Sequence, residues 1–134
     1  MAQRGLNPPF TDQDSFYRVV DPTKHYKKNR VKPGAFAPPL NKGLSVDWSV
    51  LTSPSKSAQR QAHRWDYAPT PVAEVSAVLV WDIGLAIRPD PIDNNDAHCE
   101  IYGSLLQIGG VPEGTSARQR LANECTTLGP FIVI

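Results

Sequence analysis

Residues 73–87 read AEVSAVLVWDIGLAI and form the most apolar stretch of the chain. In an extended conformation, successive side chains point to opposite faces, and both faces of this stretch are apolar through its middle. A strand with two apolar faces is typical of the centre of a sheet. The sequence therefore predicts a central strand over Ala73–Ile87, with Gly84 at a bulge or at a close backbone approach.

Shorter patterns on either side predict further strands. Residues 15–20 are aromatic and β-branched, residues 44–48 alternate after a Lys-Gly turn, and residues 97–102 alternate polar and apolar side chains. The apolar residues Phe131–Ile134 predict a last strand that closes the sheet. Residues 33–39 contain prolines at both ends, so at most three of them can extend as an edge strand.

Two helices are expected. Thr52-Ser53-Pro54 is a helix-start signal, and Ala58, Ala62 and Trp65 then follow at the spacing of one narrow apolar stripe. This pattern predicts a polar surface helix from Pro54 to about Trp65. A second, shorter helix is predicted to begin at a Thr115 or Ser116 cap and to run to about Thr126.

Length and composition fit one small domain. The chain has 134 residues, of which 40% are hydrophobic and 20% are charged, so disorder of the whole chain is excluded. Thirteen prolines exclude a helical bundle. We expect an α+β domain over residues 15–134, preceded by an extended arm over residues 1–14. Its sheet should be mixed and mainly antiparallel, with about five short strands and two helices packed on one side.

The sequence contains no apolar run of membrane-spanning length and no signal-peptide pattern, so a cytoplasmic protein with no membrane partner is expected. Its two cysteines, Cys99 and Cys125, could pair, but they lack a C-x-x-C motif and are expected to be reduced. The chain has no Walker loop, no G-x-G-x-x-G and no G-x-S-x-G, so no cofactor is predicted. The Asx-rich residues 90–96 match a calcium loop poorly and are expected to hold turns, and no metal site is predicted.

Charge is distributed unevenly along the chain. Residues 1–67 carry eleven Lys and Arg against five Asp, whereas residues 68–134 carry three Arg against eight Asp and Glu. Much of the positive charge forms one run, which consists of Lys24, Lys27, Lys28, Arg30 and Lys32. Such a run could bind phosphate groups of a nucleotide or of RNA. It could equally be a solvated loop whose charge is balanced by the acidic half of the chain.

Three polar residues on the predicted strands are candidates for catalysis. Arg18 is the one charged residue in the apolar row of its strand, and His98 and Glu100 share a face of theirs. An arginine that binds an anion, together with a histidine and a carboxylate that transfer protons, could form a nucleotide or RNA site. Alternatively, Arg18 could lie at the rim of the sheet, where it would be solvated or bridged to a carboxylate, and His98 could have a purely structural role.

We expect a non-enzymatic accessory module that binds a protein partner, because the sequence shows no complete set of catalytic residues. A contiguous apolar patch near Phe36 and Trp48, with the neighbouring prolines, would be its contact surface. The alternative is an enzyme or sensor directed at a nucleotide or RNA, which requires Arg18, His98 and Glu100 to converge in one cleft.

Seven motifs occur in a fixed order: Phe16-Tyr17-Arg18, Asn29-Arg30-Val31, Ala35-Phe36, Leu44-Ser45-Val46-Asp47, Leu51-Thr52, Asp90-Pro91 and Asp96-Ala97-His98. As an ordered set, they resemble a family of small uncharacterised bacterial proteins. The resemblance implies a bacterial or phage-related stand-alone domain, with Arg18, Ser45 and His98 as its notable polar positions, and it implies no reaction. Arg18 and Glu100 also resemble the NAD-binding and glutamate positions of ADP-ribosyltransferase-like folds, by analogy only.

Overall fold

A computed structural model describes residues 9–39, 42–107 and 112–133 of the chain. Its strands are β1 Ser15–Val19, β2 Tyr26–Lys27, β3 Arg30–Val31, β4 Leu44–Trp48, β5 Thr70–Ser76, β6 Ala86–Pro89, β7 His98–Tyr102 and β8 Thr126–Phe131. Six of them form one sheet in the order β6-β7-β4-β1-β5-β8, and every neighbouring pair is antiparallel. The predicted α+β class is confirmed, with six strands in place of about five.

The other elements are short. The strands β2 and β3 pair with each other in a separate hairpin. The α-helices are α1 Pro54–Gln61, α2 Ala77–Ile83, α3 Ser104–Gln107 and α4 Pro112–Glu124, and 3₁₀ turns span Pro33–Phe36 and Ala62–Trp65. No helix in the described part of the chain is both long and apolar enough to cross a bilayer.

The predicted strand over residues 73–87 is wrong in its second half. The strand β5 ends at Ser76, whose hydroxyl accepts a hydrogen bond from the Leu79 amide and caps α2. Gly84, at φ +99°, ends α2 by donating its amide to carbonyls of the last turn, so it is a helix cap and not a bulge. A short helix buried on most sides has no polar face, and its sequence therefore reads like a buried strand.

Several shorter predictions are confirmed. The strands β1, β4 and β7 lie where alternation predicts them, within one residue at each end. The hydroxyl of Ser53 caps α1 as expected, by accepting from the Lys56 amide at 3.3 Å. The Ala58 and Ala62 side chains are fully buried, so the predicted apolar stripe faces the sheet.

Three boundaries differ from the predictions. The segment expected to be an edge strand is the 3₁₀ turn Pro33–Phe36. The helix α4 begins at Pro112 rather than at Thr115. The last strand is Thr126–Phe131 rather than Phe131–Ile134, and Ile134 lies outside the described residues.

The two predicted helices lie on opposite faces of the sheet and not on one. On β1, Phe16 belongs to the large core that includes Leu121 of α4. Tyr17 and Val19, whose side chains lie on the other face of β1, belong to a smaller core with Ala58 of α1. Because side chains alternate along a strand, α1 and α4 cover different faces.

The N-terminal segment is not a free arm throughout. Residues 1–8 of the predicted arm lie outside the described residues. Phe10 is buried and packs edge-to-face on Phe16 and on Trp48, with ring centroids 5.3 Å and 5.0 Å apart. The hydrophobic core therefore begins at Phe10 rather than at residue 15.

The two outer strands of the sheet both contain proline. Pro89 ends β6, and Pro130 lies within β8. Proline is found in edge strands because its nitrogen has no hydrogen to donate to a neighbouring strand.

Candidate functional site

The helix α1 covers only part of one sheet face. It packs against β1, β5 and β8, and the same face of β4 and β7 continues beyond it with the polar side chains of Ser45, Asp47, His98 and Glu100. A cavity of about 530 Å³ lies between the end of α1, these strands and the loop after β6. Its lining consists of Arg18, Pro39, Ser45, Arg60, Gln61, Arg64, Ile92, Asp93, Asn94, Asn95 and His98.

A buried carboxylate, that of Asp47, supports this cavity. Asp47 is 4% exposed, and its two oxygens accept from the Ser57 hydroxyl at 2.6 Å, the Arg60 guanidinium at 3.1 Å and the Asn95 amide at 2.8 Å. These three donors come from α1 and from the loop between β6 and β7. One carboxylate on β4 therefore fixes both side walls of the cavity.

Arg18 reaches the cavity because β1 and β4 separate at this point. The two strands are paired only at Phe16 with Trp48 and at Tyr17 with Asp47. In the gap that follows, the Arg18 guanidinium donates from Nε to the Ala35 carbonyl and from Nη1 to the Ser45 carbonyl, both at 2.9 Å. Arg18 is half-buried, and among the described residues its guanidinium is bonded to two carbonyls rather than bridged to a carboxylate.

The charge of Arg18 is not neutralised by a carboxylate in the described part of the chain. Both of its hydrogen-bond acceptors are neutral carbonyls. Burial and, to a smaller extent, the nearby Arg64 guanidinium lower the pKa of Arg18 to about 10. Two like charges therefore lie near each other, in a position that an anion would stabilise.

A second, smaller cavity of about 160 Å³ adjoins the first. Arg18, Gln61 and Arg64 line both cavities, and His25 and Trp65 line the smaller one. Arg64 forms no ion pair or hydrogen bond with any described residue. The two guanidinium groups thus stand where the cavities meet.

His98 is held in a defined orientation at the opposite wall. Its Nδ1 atom lies 2.7 Å from the Asp90 carbonyl oxygen and 3.3 Å from the Asp90 carboxylate. Both of these atoms are acceptors, so Nδ1 carries the proton and the neutral ring has its lone pair on Nε2. The side chain is 12% exposed.

The three catalytic candidates do not converge in one cavity. Arg18 and His98 line the larger cavity, but Glu100 lines a separate, shallow depression with Arg88 and Tyr102. Glu100 accepts two hydrogen bonds from the Arg88 guanidinium, which also stacks over the Tyr102 ring. Glu100 is therefore ion-paired with Arg88 on the neighbouring strand β6.

The basic run lies to one side of both cavities. Lys27 and Arg30 belong to the β2–β3 hairpin, with Lys28 in its turn, and all five residues of the run (Lys24, Lys27, Lys28, Arg30 and Lys32) are exposed. None of them lines either cavity. Lys24 and Lys32 do lie close enough to His25 to contribute to its lowered pKa, a shift that is caused chiefly by burial.

The apolar patch expected to bind a partner is not formed as predicted. The Phe36 side chain is fully buried in the core, and Trp48 is partly buried against Phe10. The expectation that Phe36 forms part of a contact surface is therefore wrong, because the 3₁₀ turn Pro33–Phe36 directs this ring inward. The large apolar side chains that are exposed in the described segments are Val50, Leu51, Tyr67, Ile92, Tyr102 and Ile132.

The Asx-rich loop is held by its own hydrogen bonds. Ile92 and Asn95 form a backbone bridge, and the Asn95 side-chain oxygen accepts from the Ala97 amide at 3.1 Å. Across residues 9–39, 42–107 and 112–133, no three His, Cys, Asp or Glu side chains form a group that could hold a metal ion.

Arg60 and Arg64 are the residues of this site that the sequence did not indicate. Arg60 lies in the last turn of α1 and Arg64 in the 3₁₀ turn that follows it. Both stand among polar residues, whose pattern does not distinguish a cavity wall from a solvated surface.

Neither the protein-family models nor the curated proteins and solved structures that were searched gave a match to this chain. The site is therefore interpreted from its geometry and charge.

Proposed function

We propose that the protein binds a small phosphate-bearing molecule, of nucleotide size, in the cavity between α1 and the loop after β6. The observation that carries the proposal is the pair Arg18 and Arg64, two guanidinium groups that meet at the cavity with no carboxylate partner among the described residues. Guanidinium groups bind phosphate oxygens with charge-assisted hydrogen bonds.

The charge of the lining supports an anionic ligand. Arg18, Arg60 and Arg64 face the cavity, and Asp93 is the carboxylate among its lining residues. Arg60 is paired with the buried Asp47, so Arg18 and Arg64 supply the positive charge available to a ligand. A phosphate held between these two would relieve their mutual repulsion, and binding should therefore be strongest where both are protonated.

The size of the cavity supports a ligand larger than inorganic phosphate. About 530 Å³ lies within the range of small-molecule sites in proteins. The smaller cavity adds the Trp65 indole and the Asp21 carboxylate beside the two arginines, so the phosphate is expected on the side of the larger cavity. A phosphate at the arginine pair would leave room in the larger cavity for a sugar or base.

The arginine pair favours the nucleotide-directed alternative over the hypothesis of a protein-binding module. A bacterial or phage-related cytoplasmic protein is part of the same proposal. The unpaired Cys99 and Cys125 fit a reducing compartment.

Calorimetry and thermal unfolding with inorganic phosphate, AMP, ADP and adenosine test the proposal. A nucleotide at 100 times its Kd should add about 2.7 kcal/mol to the free energy of unfolding. We expect ADP or AMP to raise the Tm by several degrees and adenosine, which lacks phosphate, to leave it unchanged.

Two matched substitutions locate the binding. Arg64→Gln should weaken nucleotide binding about tenfold or more without loss of stability, because Arg64 makes no bond to a described residue. The control is Arg30→Gln on the β2–β3 hairpin, which should leave the Kd unchanged. The proposal fails if no phosphate compound binds, or if Arg30→Gln weakens binding as much as Arg64→Gln does.

A further inference from the structure

The orientation of His98 points beyond binding, to a reaction. We infer that His98 is the general base of a hydrolase that cleaves a phosphodiester held by Arg18 and Arg64. This inference rests on the proposed function, because it uses the same cavity and the same anion-binding pair. It adds a reaction and a substrate class.

The imidazole of His98 has one ring nitrogen free to accept a proton. Nδ1–H is committed to Asp90, which leaves Nε2 as the one ring atom able to accept a proton. The bond from Nδ1–H to the Asp90 carbonyl oxygen, at 2.7 Å, holds the ring in place, and the half-exposed Asp90 carboxylate lies 3.3 Å from the same nitrogen. With the side chain 12% exposed, His98 is partly shielded from bulk water but open to the cavity that it lines.

The two guanidinium groups and the two cavities indicate the class of substrate. A phosphodiester has one negative charge and two non-bridging oxygens, and two guanidinium groups can take one oxygen each. The larger cavity and the smaller one extend in two directions from Arg18 and Arg64, so each can accept one of the two ester groups. A diester thus fits the arginine pair in both charge and shape.

The reaction then follows in balanced form. Nε2 of His98 takes a proton from water while the water oxygen forms a bond to phosphorus. The bond between phosphorus and the ester oxygen opposite the incoming water breaks, its electron pair goes to that oxygen, which takes a proton from solvent, and the imidazolium releases its proton to solvent. Water and a phosphodiester give a phosphomonoester and an alcohol, while Arg18 and Arg64 stabilise the charge that builds on the non-bridging oxygens.

The experiment follows release of 4-nitrophenol from bis(4-nitrophenyl) phosphate and opening of 2′,3′-cyclic AMP by the full chain. In His98→Asn, the Asn Nδ2–H stands near the position of Nδ1–H, keeps the bond to Asp90 and removes the basic Nε2. We expect this variant to lose at least about 100-fold in rate while its AMP Kd stays within about threefold and its Tm within a few degrees. The matched control is His63→Asn, at an exposed histidine of the Ala62–Trp65 turn, which should keep the full rate.

A second variant separates catalysis from structure. His98→Ala should regain part of its rate when imidazole is added, since free imidazole can take the proton but cannot restore a lost structural contact. The inference is overturned if the wild-type chain binds AMP yet cleaves neither diester, if His98→Asn keeps its rate, or if imidazole restores nothing to an otherwise folded His98→Ala. Failure of AMP to bind at all would instead refute the proposed function.

Discussion

Replacing Asp47 by asparagine removes the charge that joins three elements around the cavity. The asparagine keeps the size of the side chain but presents an NH₂ group where one carboxylate oxygen stood. Asn95 cannot turn its own oxygen toward that group without losing the bond from the Ala97 amide. The new NH₂ group therefore faces either the buried Asn95 amide or the partly exposed Arg60 guanidinium, both of them donors, while the Ser57 hydroxyl can turn to accept.

The cost follows from these contacts. An unsatisfied buried donor costs about 1–3 kcal/mol. The ion pair with Arg60, whose side chain is 31% exposed, adds at most about 1 kcal/mol because solvent screens it. We expect a loss of about 1–4 kcal/mol in the free energy of unfolding, which corresponds to roughly 4–16 °C in Tm for a domain of this size.

Urea and thermal unfolding, followed by circular dichroism, measure this loss. Asp12→Asn is the control, because Asp12 is exposed and its replacement should change the free energy of unfolding by less than about 0.5 kcal/mol. A double-mutant cycle with Asn95→Ala should give a coupling energy of about 1 kcal/mol or more. A loss below about 1 kcal/mol for Asp47→Asn, or additive single effects in the cycle, would refute the view that this carboxylate holds the cavity walls together.

Two further predictions concern the helix cap and the buried thiol. Gly84→Ala should lower the free energy of unfolding by about 1–2 kcal/mol, because a Cβ at φ +99° is strained although its nearest side-chain atom, on Leu105, is 3.8 Å away. Unfolding in urea measures this loss, which should be smaller for Gly84→Asn. Burial raises the pKa of Cys99 from 9.0 to about 12, so the thiolate forms more readily in the unfolded chain. As pH rises from 9 toward 12, Cys99 therefore lowers the free energy of unfolding by up to about 1.4 kcal/mol per pH unit. Unfolding of wild type and Cys99→Ala across this range isolates the contribution, and equal slopes for the two proteins would show that the thiol is not protected by the fold.

The strands that the sequence predicted well carry a recognisable strand pattern. In β4 and β7, polar and apolar side chains alternate, and β1 consists largely of aromatic and β-branched residues. Residues 77–83 are buried on most sides, so no period distinguishes a helix from a strand, and the caps Ser76 and Gly84 are the signals that could have done so. The β2–β3 hairpin escapes prediction because its turn residues Lys28 and Asn29, both at positive φ, are not a common turn pair.

For the site, sequence reasoning selected Arg18 and His98, and the fold brings them to one cavity. Glu100 is grouped with His98 by alternation, which puts both on one face of β7. Two residues along a strand are about 7 Å apart, however, and Arg88 on the neighbouring strand holds Glu100 in a different depression. Alternation assigns a side chain to a face but does not determine which cavity on that face it lines.

Proline in both outer strands limits how this protein can associate. A strand from another molecule that approached β6 or β8 would find no amide hydrogen at Pro89 or Pro130, so neither edge offers a complete ladder of backbone donors. Edge-to-edge stacking of copies, the first step toward fibrils, is thereby disfavoured at both ends of the sheet. A strand added to either edge would therefore lack one backbone hydrogen bond at the proline.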